Sequence, residues 1–325
     1  LLRYSNNRNP EENEGAEKLF YYNQLMVSTY FKEARLGSLT ARYEHYLEWK
    51  DIYPKIIKDF DHYSSQEILI EGVFNHTNFL DIIRNFIVFE VEEGRTIKKT
   101  SRYQQFRAVH KTIEKLQSGE TKKDKGGVIW HTQGSGKSLT MVFLAMQIRR
   151  HVELKKSKLI FLTDRTQLDS QLTTTFKNTQ NETVINIDSV KELREVLKKD
   201  SSDLITSTIQ KFQDMDEDNQ LLNESENIIV LIDEGHRTQY GSFGLVLNTA
   251  LPNAPKIAFT GTPLLKSQKT ISPKYLNTIS GILLVICNIP SIIVATMYAS
   301  KSNILISLLL INLSLYLIVY YFLFK

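Results

Sequence analysis

Between residues 126 and 265 the chain repeats one pattern: a short apolar run of strand length, then a longer stretch with helical spacing. The runs fall at 127–130, 158–162, 183–187, 203–206, 228–232 and 256–259. Some are apolar without interruption, as in Ile228-Ile229-Val230-Leu231-Ile232, which suits strands covered on both faces. Helical stretches lie between them, notably 138–150 and 190–199. Parallel neighbours need a crossover, and a helix supplies it, so the alternation predicts an α/β class with a parallel sheet and helices on both faces.

Within that frame, Val128-Ile129-Trp130 leads through His131-Thr132-Gln133 into Gly134-Ser135-Gly136-Lys137-Ser138 and then an apolar helix. Glycines at 134 and 136 let the backbone turn tightly and aim amide N–H groups at phosphate oxygens, with Ser135 between them. The helix starting near Lys137 adds its positive dipole end. Lys137 can reach the β and γ phosphates, and the Ser138 hydroxyl can ligate Mg²⁺. The usual spacing G-x-x-x-x-G-K-[ST] puts a glycine where His131 stands. A second signal is the run 228–232 ending in Asp233-Glu234-Gly235-His236. Taken alone, two carboxylates after a strand make an ordinary turn. Paired with a phosphate loop about a hundred residues upstream, Asp233 is placed to hold Mg²⁺ and Glu234 to polarise an attacking water. His236 then stands where it can link the ATP site to a nucleic-acid side.

Composition limits the alternatives. Hydrophobic residues make up 42% and charged residues 23%, as in globular proteins, and the net charge of +4 permits a nucleic-acid partner without arguing for one. The one cysteine, Cys287, excludes an intrachain disulfide and a Cys/His metal cluster. Leu1 to Gly15 is polar and carries no secretory signal. Residues 1–88 mix apolar and aromatic runs with polar turns and read as part of an α/β domain. Residues 89–125 are charged and helix-prone, with helical spacing over 103–116 and a solvated loop at Lys122-Lys123-Asp124-Lys125.

The order of these motifs resembles superfamily 2 helicases and translocases. Thr132 to Ser138 looks like motif I, Asp233-Glu234-Gly235-His236 like a variant DEAH box, and Ala258-Phe259-Thr260-Gly261-Thr262-Pro263 like motif III. Phe161-Leu162-Thr163-Asp164-Arg165 and Ser207-Thr208-Ile209-Gln210-Lys211-Phe212 resemble the segments that contact nucleic-acid backbone in such motors. The resemblance implies coupling or DNA-backbone roles for Thr163, Arg165, Thr208, Gln210, Thr260 and Thr262, contacts that bind without reading sequence. The wording H-T-Q-G-S-G-K-S, D-E-G-H-R-T-Q and F-T-G-T-P is similar to the R (motor and cleavage) subunit of type I restriction enzymes. So is Arg102-Tyr103-Gln104-Gln105-Phe106-Arg107-Ala108, where the resemblance implies a Q-motif glutamine at Gln105 that meets adenine; Tyr103 and Phe106 read as helix packing.

The resemblance implies a RecA-like ATPase domain over 126–270. A nuclease-domain remnant over 1–88 and a linker with the Q-motif-like helix over 89–125 precede it. It also implies ATP and Mg²⁺ as cofactors, double-stranded DNA and specificity and methylation subunits as partners, and a cytoplasmic setting. The family's nuclease carboxylates would precede Tyr4, and Glu48-Trp49-Lys50 and Glu153-Leu154-Lys155 match their letters in the wrong place. No second motor domain follows Pro263, so the chain reads as cut short at both ends, able to bind ATP but not to hydrolyse it fast. Over 271–325 the sequence is an apolar tail, with 279–299 and 304–324 free of charge and long enough for two transmembrane helices in a hairpin. An alternative origin is an out-of-frame reading of an A/T-rich gene. Two other functions stay open: a different superfamily 2 helicase, and an inactive nucleotide-binding remnant associated with membrane.

Overall fold

The computed structural model describes residues 20, 22–39, 41–56, 63–92, 94–132, 134–163, 176, 184–214, 221–233 and 242–261. The tail expected to form two transmembrane helices lies outside them. Among the described residues no helix is long and apolar enough to cross a membrane. All described elements belong to one compact unit, within Leu1–Pro263.

The centre of the unit is a six-stranded parallel sheet. Its strands are β6 (Gly127–Trp130), β7 (Lys158–Thr163), β8 (Val184–Asn186), β9 (Leu204–Thr208), β10 (Ile228–Asp233) and β11 (Lys256–Thr260). The spatial order is β6-β11-β10-β7-β9-β8. Register pairs Ile229 with Leu159, Leu231 with Ile257 and Ala258 with Val128, so β10 and β7 sit centrally and are buried along their whole length. Each expected strand forms, and several run one or two residues further at the C-terminal end.

Side chains alternate across the strands and build two cores. Leu159, Phe161, Leu231, Ile257 and Phe259 face one side, under α3 (Tyr103–Ser118) and α5 (Lys137–Arg150). Ile160, Leu162, Val230 and Ile232 face the other, under α6 (Val190–Lys198), α7 (Ile209–Gln213) and α8 (Ser242–Ala250). α6 shows why the chain turns helical there: Ser189 caps it by accepting from the Glu192 amide, and Leu193, Val196 and Leu197 form its one buried face.

Upstream, β1 (Met26–Tyr30), β2 (Glu33–Gly37) and β3 (Leu47–Glu48) form an antiparallel sheet. Two capped helices follow, α1 (Ser65–Val73) behind a Ser64/Glu67 capping box and α2 (His76–Asn85) behind Asn75. Two expectations need correction. The helix-prone reading of 89–100 fails, because β4 (Ile87–Glu92) and β5 (Arg95–Thr100) form an antiparallel hairpin. Ile87-Val88-Phe89 and Thr96-Ile97 are β-branched or aromatic, and Gly94 supplies the positive φ of the turn (77°). The boundary drawn at 88/89 therefore cuts a strand. The loop expected at 122–125 is a single helical turn, α4 (Lys122–Lys125), held by a Thr121/Asp124 capping box.

The hairpin and α2 pack Phe86 against Phe106 of α3 and Phe143 of α5, with ring centroids 4.8 Å and 5.4 Å away. Trp49 adds an edge contact to Phe106 at 5.8 Å. The upstream segment and the parallel sheet thus share one continuous core.

Candidate nucleotide site

The C-terminal ends of the parallel strands carry Thr163, Thr208, Asp233 and Thr260, and β6 leads from the same edge into the glycine turn. Ligands of open α/β sheets bind outside this edge. Gly134 (φ 76°) and Gly136 (φ 87°) take the left-handed backbone that the sequence called for, and Gly136 is the N-cap of α5.

Lys137, the first residue of α5, places Nζ 3.3 Å from Asp233 Oδ1, and both side chains are largely buried. The two segments proposed as halves of one site therefore meet. Such a pair, at a helix N-terminus and within a protein edge of reduced dielectric, is ready to exchange its partner for a phosphate or a cation. Ser138 follows in the first turn of α5 and is half-buried. Glu234, His236, Arg165 and Thr262 lie outside the described residues.

Gln105 is buried and its side chain is used twice: Oε1 accepts from the Arg102 amide at 2.8 Å and Nε2 donates to the Gly136 carbonyl at 2.9 Å. It fastens the phosphate turn to the N-terminus of α3. Of the residues given coupling or backbone roles, Thr163 and Thr260 are buried, Thr208 is half-buried and Gln210 is exposed, with its amide on Asp214 at 2.9 Å. The Glu48 carboxylate bonds Ser65 and pairs with Lys50 at 3.1 Å.

Two features went unread in the sequence. His131 is buried rather than a turn residue, bonded through both ring nitrogens to Ser135 and Thr140 (2.9 Å and 3.1 Å). Burial, then the charges of Lys137 and Arg102, hold its pKa below the usual imidazole value. A cavity of about 390 Å³ opens beside the turn, between Gly134 and Gly136 on one side and Gly37, Arg42, Trp49 and Tyr103 on the other. Among the described residues, the buried side-chain atoms without a hydrogen-bond partner are Thr100 Oγ1 and Ser101 Oγ, and both residues line this cavity. Unpartnered buried hydroxyls are costly, so their place in a cavity wall fits a polar ligand. No motif marks a cavity with Gly37 to Trp49 on one wall and the Gly134 to Gly136 turn on the other, segments so far apart in the chain.

A family model described as SWI2/SNF2 ATPase matches residues 104–284, over half of the chain. The type I restriction enzyme HindI endonuclease subunit of Haemophilus influenzae is 37% identical over 81% of this chain and 27% of its own length. The type I restriction enzyme SsaAORF53P endonuclease subunit of Staphylococcus saprophyticus is 34% identical over 46% of this chain and 16% of its own. The chain thus spans about a quarter or less of these relatives. A solved SWI2/SNF2 ATPase core from Sulfolobus solfataricus, in complex with double-stranded DNA, is 19% identical with a TM-score of 0.39 over 54% of this chain and 35% of that one. With its strand–turn–helix and acidic strand end meeting at one sheet edge, the chain belongs to the SWI2/SNF2 ATPase family and is a homologue of type I restriction endonuclease subunits.

Proposed function

We propose that the chain binds MgATP at the Gly134–Ser138 turn and works as the first motor domain of a type I restriction subunit, acting on double-stranded DNA. The observation that carries this reading is the 3.3 Å pairing of Lys137 with Asp233. Lys137 binds the β and γ phosphates, the Gly134 to Gly136 backbone wraps them, and Ser138 and Asp233 hold Mg²⁺, which neutralises phosphate charge when bound. Glu234 orients the attacking water, and His236 couples the site to DNA. The nucleoside half occupies the cavity beside the turn, near Thr100, Ser101 and Tyr103, with Gln105 at its base.

The exposed Gln210, with Thr208, Arg165 and Thr262, contacts phosphates of the duplex, while Thr163 and Thr260 relay the state of the ATP site. The likeness to type I restriction endonuclease subunits supports this choice of partner. Specificity and methylation subunits would complete the assembly, as the likeness to restriction subunits suggests. The apolar stretches 279–299 and 304–324 carry a further proposal, association with membrane. Recovery of the whole chain in the supernatant after sedimentation with lipid vesicles would refute it.

The test is equilibrium binding of Mg-ATPγS. Lys137→Ala should weaken it at least tenfold, about 1.4 kcal/mol. Asp233→Asn should retain nucleotide while losing most of the Mg²⁺ dependence. Unchanged binding in Lys137→Ala would refute the assignment.

A further inference from the structure

His131 occupies the place of a glycine, and its surroundings leave one arrangement of protons that satisfies every group. Gly136 O already accepts from the Thr140 amide at 3.0 Å and from Gln105 Nε2 at 2.9 Å, which fills its two lone pairs. The Thr140 hydroxyl lies 3.1 Å from that same carbonyl and 3.1 Å from His131 Nε2. Its single proton is therefore best used on Nε2. Ser135 Oγ donates to Thr132 O at 2.6 Å, where the Ser135 amide also donates at 3.1 Å, so that hydroxyl has only lone pairs left for His131 Nδ1 at 2.9 Å. Nδ1 must then carry the ring proton. The opposite tautomer would crowd a third donor onto Gly136 O and pull the Ser135 hydroxyl off Thr132 O.

We infer that His131, as the neutral Nδ1–H tautomer, is a positioning residue that locks the 132–135 turn to the first turns of α5. The polar chain runs from Thr140 through the imidazole to Ser135 and on to Thr132 O. His131 is also pinned from below, since its amide donates to Thr260 O at 2.9 Å at the end of β11. A glycine at 131 would offer the turn no such strut. Its effect is to hold Gly134 and Gly136 in place before nucleotide arrives, so that less ordering accompanies binding. This rests on the reading of the turn as a nucleotide site.

The experiment uses the full chain with ¹⁵N-labelled histidine, the His131 signals being assigned by their loss in His131→Asn. A protonated Nδ1 and a bare Nε2 are expected without nucleotide. A protonated Nε2 with a bare Nδ1, or a doubly protonated ring at pH 7.5, would overturn the inference. In parallel, Mg-ATPγS affinity is measured for three variants. His131→Leu, of similar bulk, should bind roughly tenfold more weakly, the scale of one or two lost hydrogen bonds. His131→Asn, whose amide nitrogen can stand near Nδ1 and donate to Ser135, should recover most of that loss. His131→Gln, which reaches toward Thr140, should not. Equal affinity in all three would leave His131 a space-filler and sink its role alone. Failure of the unsubstituted chain to bind would sink the nucleotide reading and the positioning role with it.

Discussion

At Gly136 two separate demands meet. Its φ of 87° is strained for any residue with a side chain, and a Cβ there would lie 2.7 Å from Gln105 Nε2. Gly136→Ala should therefore cost about 1–2 kcal/mol in backbone strain and displace the Gln105 strut. Nucleotide affinity should fall at least tenfold, with a lowered thermal midpoint as the second readout. Adding Gln105→Ala should relieve the contact but not the backbone, so the double variant should recover only part of the stability. Full recovery would mean that the dihedral itself is unimportant. Gly134 differs: its φ is 76°, but nothing stands within 4 Å of a Cβ there. Its requirement is conformational alone.

At the scale of elements, the start of β11 offers a pH test. Lys256 donates to Leu251 O and Ala254 O at 3.1 Å and 3.2 Å, and burial, helped by the charge of Lys122, lowers its pKa to about 8. A lysine depressed in the folded state binds fewer protons than the unfolded chain between about pH 8 and its ordinary value of about 10.4. Stability should thus rise with pH across that window, by the linkage relation. Lys256→Met should remove this rise and be favoured most below pH 8, as checked by urea midpoints from pH 7 to 10. A slope shared by both proteins would place its origin elsewhere. The strands and α5 were legible in the sequence because apolar runs and a glycine turn are local signals, as was the meeting of Lys137 with Asp233, since two motifs at the ends of the strands that flank β11 constrain each other. The β4–β5 hairpin was not. Its charged residues, Glu90, Lys98 and Lys99 among them, mask a β-branched alternation that only the Gly94 turn and the pairing resolve. His131 was illegible for a different reason: its partners Ser135 and Thr140 matter only once strand, turn and helix are folded together.

For the molecule as a whole, the seam between the upstream segment and the parallel sheet is an aromatic cluster rather than a polar hinge. Phe106 is buried and touches Trp49, Phe86 and Tyr53 rings from upstream elements. Phe106→Ala should cost about 3–5 kcal/mol, as for large aromatic truncations in cores. Because the core is shared, loss of nucleotide binding and loss of buried Trp49 fluorescence should coincide in one denaturant transition. Two separated transitions would show the modules to be independent. Beside the cluster, Asp81 joins α2 to α3 and α5 by bonding His110 at 2.7 Å and Gln147 at 2.9 Å. Burial alone would raise its pKa, but the bonds from His110, Asn85 and Gln147 outweigh that and hold its carboxyl below the usual range.

The cavity beside the phosphate turn has a practical corollary for anyone excising the ATPase. One of its walls is Gly37, Arg42 and Trp49, which precede the first strand of the parallel sheet by some eighty residues or more. A fragment trimmed to begin at residue 126 would keep the glycine turn and the acidic strand end yet lose Gln105 and this wall of the cavity. Grafts and minimal expression fragments should start before β1.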